Sequence, residues 1–170
     1  LDTLKGEFIP AKKTAAGTIK TVEYGWWLLP DGTKIPVVKL NIRSENVWPI
    51  DNVAIWCLAK KLGYDDLFPK LIYYDGFNIY MERIPTVGKD EVIRKIGEET
   101  WNELSQKFMQ RYEEFKTLVK NLMGLEIDLE IGINAPEWGV KLVGDKWVLV
   151  FTDLDCRLVR VQRKCFTELR

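Results

Sequence analysis

Lysines and carboxylates beside apolar segments are the side chains best suited to chemistry in this sequence. Histidine is absent from the 170 residues, which excludes Ser-His and Cys-His catalysis, imidazole metal ligands and histidine pH switches. Lys39 lies near the end of an apolar run, and in an alternating strand its side chain shares a face with Val37 and Asn41. Such a lysine is either a solvated charge at a sheet edge or an ammonium that holds an anion.

Oxygen-bearing side chains follow in the last third of the chain. Asp153 and Asp155 end an apolar run, and side chains at i and i+2 project from one face of an extended segment. Asp128 and Asn134 precede that run. Carboxylate and amide oxygens are ligands that Mg²⁺ prefers, although aspartates at strand ends are also common turn residues.

The elements that must position these side chains can be predicted from the hydrophobic pattern. They are, in order, a hairpin over 17–41 that turns at Pro30-Asp31-Gly32, a helix over 48–62, a hairpin over 71–84 that turns at Asp75-Gly76, a helical stretch over 89–123 divided at Gly97, a hairpin over 138–152 and an extra strand over 158–165. Residues 1–16 are either a strand or an arm. This order predicts an α+β fold with antiparallel strand pairs.

The residues in this order resemble the protein-kinase family over about residues 15–157. Residues 32–39, Gly-Thr-Lys-Ile-Pro-Val-Val-Lys, resemble the family's G-x-x-V-A-I-K strand. The resemblance implies that Lys39 binds phosphate and takes part in catalysis. It also implies a single domain over 1–170, with a kinase-like antiparallel N-lobe sheet and one helix in 1–84. Residues 85–170 would form a reduced helical C-lobe that carries a β-hairpin.

The same resemblance assigns the other site residues. Residues 68–72 and 79–82 resemble the strands that lead to the hinge, which implies that the backbone from Glu82 to Ile84 faces the adenine of ATP. Asp128 would be the catalytic-loop aspartate, and Asn134 and Asp153 would hold Mg²⁺.

The sequence departs from the kinase pattern at several positions, and these departures motivate an alternative to an active kinase. The glycine-rich loop is missing, and Asp51 stands where a glutamate would pair with Lys39. Leu154-Asp155 replaces the Phe-Gly that follows the metal-binding aspartate. With these departures, nucleotide binding remains a hypothesis, whereas the case for phosphate transfer becomes weaker.

Composition narrows the classes of partner. Lys+Arg and Asp+Glu each number 25, which disfavours a broad nucleic-acid footprint. No apolar run reaches the roughly 20 residues of a membrane span. Cys57, Cys156 and Cys165 are far apart, as expected of reduced thiols in a cytoplasmic protein.

Two hypotheses follow. The first is a kinase-like protein that binds Mg-ATP and transfers phosphate to a protein or to a small hydroxyl acceptor. The second is a non-catalytic protein, pseudokinase-like or of an unrelated α+β fold, that inhibits or recruits a macromolecular partner. The adjacent Trp26 and Trp27 favour the second if one ring faces outward, since tryptophan is enriched at interface hot spots; both rings could instead be buried under the N-terminal arm.

Overall fold

The computed structural model of the protein describes residues 4–16, 20–42, 49–85, 87–129, 131, 138–152 and 157–160. Within these residues the chain forms nine strands, three α-helices and a short 3₁₀ helix. The elements are β1 (Glu7–Ala16), β2 (Lys20–Leu28), β3 (Lys34–Ile42), α1 (Pro49–Leu62), the 3₁₀ helix (Asp65–Leu67), β4 (Leu71–Tyr74), β5 (Asn78–Glu82), α2 (Lys89–Ile96), α3 (Glu98–Met123), β6 (Leu125–Asp128), β7 (Trp138–Val143), β8 (Lys146–Phe151) and β9 (Arg157–Arg160). The predicted α+β class is confirmed.

The first five strands form one antiparallel sheet in the order β1-β2-β3-β5-β4. We call this sheet together with α1 the sheet part. The predicted hairpins β2–β3 and β4–β5 are confirmed, and Gly76 takes a φ of 96° at the second turn, where glycine avoids a steric penalty. Residues 7–16 form β1, at one edge of the sheet.

The N-terminal segment links the two edges of this sheet. The N–H of Leu4, three residues before β1, donates to the carbonyl of Ile72 in β4 at 3.1 Å. The indole N–H of Trp27 donates to the carbonyl of Leu4, also at 3.1 Å. The sheet is therefore curled, and the curl encloses a small core of Trp27, Val37, Ile72 and Tyr80.

The opposite face of the sheet packs on a second, larger core. Leu40, Ile79 and Met81 contribute to it from the sheet, and α1 contributes Trp56 and neighbouring apolar side chains. Because the side chains of α1 and of the sheet share this core, α1 packs on this face. The same core continues through α3, β7 and β8. We refer to the two sides of the sheet as the small-core face and the large-core face.

The remaining elements form what we call the helical part. Helices α2 and α3 are separated at Gly97, as predicted, and the predicted hairpin β7–β8 is confirmed. Strand β6 was not predicted; it pairs with β9. No helix among the described residues combines the length and apolar character needed to cross a membrane. Cys57 is half-buried in α1, and burial raises the pKa of its thiol.

Candidate functional site

Lys39 lies in the middle of β3, on the small-core face. Its direct cross-strand neighbours are Glu23 in β2 and Tyr80 in β5, and such neighbours share a face. The ammonium lies 3.8 Å from a carboxylate oxygen of Glu23 and 5.5 Å from the centre of the Phe8 ring. Lys39 thus forms a cross-strand ion pair beside an aromatic ring.

The positions on either side of Lys39 project to the other face. Val38 and Leu40 pack against the large core, on which α1 also packs. Asp51, the predicted partner of Lys39, lies in the first turn of α1. The structure therefore does not bring Lys39 and Asp51 to one face of the sheet, as the predicted pairing requires. The physical reason is strand alternation, which directs neighbouring side chains to opposite faces.

The predicted adenine-facing stretch, from Glu82 to Ile84, lies where β5 enters the connector (residues 83–88, described except for residue 86). The N–H of Glu82 donates to the carbonyl of Lys70 at 2.8 Å, and the N–H of Arg83 donates to the carbonyl of Pro36 at 3.1 Å. These two donors are already used by the sheet. Ile84 is buried, at 9% exposure, and no backbone–backbone hydrogen bond joins it to another described residue.

A cavity of about 370 Å³ lies beside this connector. Its lining combines apolar side chains with charged ones: Pro85, Val87, Glu91, Arg94, Lys95 and Val140. Arg94 pairs with Glu91 on the surface of α2, and the ammonium of Lys95 lies 5.6 Å from the centre of the Trp147 ring. Two cations against one carboxylate give the lining a net positive charge.

The predicted catalytic aspartate, Asp128, is the last residue of β6 and is exposed. Its cross-strand neighbour is Arg157, the first residue of β9. The predicted metal ligands Asn134 and Asp153 lie outside the described residues. Among the residues that the structure does describe, no three His, Cys, Asp or Glu side chains are grouped as a metal site would need.

Sequence reasoning missed the residues that line the cavity. Glu91 and Lys95 belong to α2, and Val140 belongs to β7. The position of α2 directly after the connector was a usable signal for Glu91. Nothing local in the sequence indicates Val140, because β7 reaches the connector only through tertiary packing.

The pKa values of Tyr80 and Asp75 are both shifted at the β4–β5 hairpin. Burial, the charge of Asp75 and a hydrogen bond to that residue raise the pKa of Tyr80 to about 12. Burial acts to raise the pKa of Asp75, but hydrogen bonds from the backbones of Asn78 and Phe77, together with the Asn78 and Tyr80 side chains, lower it overall. Both groups stabilise the turn and lie away from the connector cavity.

Comparison with known proteins adds no family to this picture. No family model matches the chain, and no curated protein matches it at a significant level. The resemblance to protein kinases therefore depends on the residues of the chain itself.

Proposed function

We propose that this protein is a kinase-like nucleotide-binding protein that takes Mg-ATP in the cavity beside the connector. The observation that carries the proposal is the position of this cavity, whose lining includes Pro85 and Val87 of the connector, directly after the stretch that the resemblance assigns to adenine. Its volume of about 370 Å³ lies within the range of about 300–1,000 Å³ typical of small-molecule sites. Backbone N–H and C=O groups in an apolar wall give such sites their specificity.

The lining suits a ligand with a flat apolar end and an anionic end. Val87 and Val140 offer apolar surface for a purine, while Arg94 and Lys95 offer positive charge. The resemblance would add Asn134 and Asp153 as ligands of the magnesium ion. When bound, Mg²⁺ would neutralise charge on the phosphate oxygens.

Phosphate transfer to a protein or small hydroxyl acceptor is the further step of this proposal. Asp128 would orient the acceptor hydroxyl, and its exposure at the end of β6 leaves room for one. Lys39 is left out of the revised site because it pairs with Glu23 on the small-core face.

The placement of Lys39 also favours the second candidate, a non-catalytic binding protein. A phosphate site without this lysine has lost one of its usual means of charge neutralisation. Trp26 is 36% exposed, whereas Trp27 is buried at 3%, so one ring does face outward as an interface residue would.

Thermal unfolding in the presence of millimolar Mg-ATP tests the nucleotide site on which the first candidate function depends. At about 100 times the dissociation constant, a bound ligand stabilises the folded state by about 2.7 kcal/mol. Glu91→Trp places an indole in the cavity from an exposed helix position and should abolish this stabilisation. Glu103→Trp, at an exposed position of α3, is the matched control. Both this variant and Lys39→Met should still be stabilised by Mg-ATP.

Failure of the wild-type protein to be stabilised by Mg-ATP would refute the nucleotide site. An unchanged stabilisation in Glu91→Trp would refute its location. If Mg-ATP binds, transfer of labelled γ-phosphate to a protein or hydroxyl acceptor, and its loss in Asp128→Asn, would support the enzyme. Binding without transfer would support the non-catalytic candidate.

A further inference from the structure

The side chain of Glu82 joins the sheet part to the helical part at the connector. Its carboxylate accepts a hydrogen bond from the backbone N–H of Lys70 at 3.1 Å, within the sheet part. It also accepts from the ammonium of Lys141 in β7, at 3.1 Å and 3.4 Å to the two oxygens. Glu82 and Lys141 are 59 residues apart in the sequence, so this contact exists only in the folded chain.

The surroundings of the Glu82–Lys141 pair make it more than a surface contact. The two side chains are 30% and 27% exposed, respectively. The cross-strand neighbour of Glu82 is Val37, which is fully buried. Partial burial reduces the screening of the charges by solvent, and the hydrogen bond from Lys70 fixes the orientation of the carboxylate.

The backbone that precedes Lys141 in β7 is held tightly against the connector. Val87 and Trp138 exchange two backbone hydrogen bonds, of 2.8 Å and 3.2 Å. A Cβ added at Gly139 would lie 2.5 Å from a methyl group of Ile84, so β7 approaches the connector more closely than a side chain at position 139 would permit.

The two parts are also joined through the large core, which includes Trp138 and Val140 of β7. There the ring of Phe68, between the 3₁₀ helix and β4, lies 6.4 Å from the ring of Phe115 in α3. Packed cores resist continuous deformation. The Glu82–Lys141 pair and the Val87–Trp138 bridge add polar contacts where β7 meets the connector.

We infer that the Glu82–Lys141 pair is a positioning pair that holds β7 against the connector and so fixes the opening of the neighbouring cavity. Val140, which lines the cavity, is the residue before Lys141 in β7. The effect on ligand affinity rests on the proposed function, whereas the effect on the connector does not.

Amide hydrogen exchange at Val87 and Trp138 tests the pair without any ligand. Glu82→Gln and Lys141→Met should each reduce protection of these two amides about fivefold, the factor that corresponds to about 1 kcal/mol. The double variant should lose no more than either single one, because each substitution removes the same contact. Glu113→Gln, which breaks a pair with Lys116 inside α3 and away from the connector, is the control and should leave both amides unchanged.

Salt and charge reversal supply the second readout. Molar salt should reduce the difference between wild type and Glu82→Gln, because salt still screens an ion pair that is partly exposed. Exchanging the two charges, in the double variant Glu82→Lys with Lys141→Glu, should restore part of the protection that either single reversal loses. Additive effects in the double variants, or unchanged exchange at Val87 and Trp138, would overturn the inference.

Titration with Mg-ATP then separates this inference from the proposed function. If wild type binds, Glu82→Gln and Lys141→Met should each weaken affinity by a similar factor, and the Glu113→Gln control should not. Equal affinity in all variants would overturn the role of the pair at the cavity. If wild type does not bind Mg-ATP, the proposed function fails, and hydrogen exchange still decides whether the pair holds the connector.

Discussion

The two faces of the five-stranded sheet differ in what covers them and in the chemistry they can support. The small-core face is enclosed by the curl of the sheet, and aromatic rings pack there: Trp27 lies 5.1 Å from Tyr73 and 5.0 Å from Tyr80. The large-core face packs on α1 and is continuous with the helices. Lys39 belongs to the first face and Leu40 to the second.

This difference shows that a shift of one residue in strand register decides which side chains, and therefore which chemistry, a strand presents on each face. A shift of one position exchanges every side chain between the two faces. With the observed register, aliphatic side chains face α1, and the lysine is held by Glu23. The charge that a kinase-like site would use is therefore on the enclosed side of the sheet.

The largest expected effect comes from the adjacent tryptophans. Trp27→Ala should lower the free energy of unfolding by about 3–5 kcal/mol, because it empties the small core and removes the hydrogen bond to Leu4. Trp26→Ala, on the other face and 36% exposed, should cost less than about 1 kcal/mol. Urea unfolding followed by circular dichroism measures both.

Similar losses in the two tryptophan variants would contradict the assignment of the faces. Trp27→Phe provides a milder change in case the alanine variant does not fold. It should lie between Trp27→Ala and wild type.

Lys39 and Leu40, which are adjacent in β3, test the same assignment of the two faces one strand further on. Leu40→Ala should cost about 2–5 kcal/mol, since Leu40 is only 8% exposed and packs in the large core. Lys39→Ala should cost about 1 kcal/mol or less, the value of a partly exposed ion pair. A loss at Lys39 as large as the one at Leu40, in equilibrium unfolding, would mean that the lysine has a buried role.

How much of this could be predicted from the sequence depends on the range of the interactions. The turn at Gly76 and the helix break at Gly97 were predicted because their signals are local. That Lys39 shares a face with Val37 was also predicted, from alternation alone. The sequence could not predict which core covers that face. This depends on the contact between Leu4 and Ile72 and on where α1 packs.

The candidate site was predictable to a smaller extent. Ile84 was assigned to the hinge by resemblance, and in the structure it is buried, one residue before Pro85 of the cavity lining. Strand β6 is only four residues long and pairs with residues more than 25 positions later, so its pattern was too short to recognise. The roles of Asn134 and Asp153 remain predictions, because these residues lie outside the described ranges.

A smaller effect is expected where β1 approaches β2 most closely. A Cβ added at Gly25 would lie 2.3 Å from the carbonyl oxygen of Ile9 and 2.6 Å from the Phe8 ring. Gly25→Ala should therefore cost about 1–3 kcal/mol through overpacking. Gly88→Ala is the matched control, because a Cβ there meets no atom within 4 Å, and equal thermal stability of the two variants would argue against the close contact.

The smallest effect at neutral pH is the titration of Tyr80. Its pKa is raised from 10.0 to about 12, so the folded state favours the protonated phenol. The corresponding stability is fully present below pH 10 and is lost as the pH rises towards 12. Between pH 9 and 11, wild type should lose more stability than Tyr80→Phe, as measured by urea unfolding at each pH.

The ultraviolet absorbance of tyrosinate checks the same group directly. The difference between the titration curves of wild type and Tyr80→Phe should have its midpoint near 12. A midpoint near 10, the ordinary value for tyrosine, would show that Tyr80 is not shielded within the small core.

The most direct test of the account is a nuclear magnetic resonance titration of the labelled protein with Mg-ATP, in which each backbone amide is followed. We expect the amides of Ile84, Val87 and Val140 to shift in a saturable manner, while those of Phe8, Glu23 and Lys39 stay in place. Shifts confined to the Lys39 side of the sheet, or none at Ile84 at saturating nucleotide, would contradict the claim that the connector cavity is the nucleotide site.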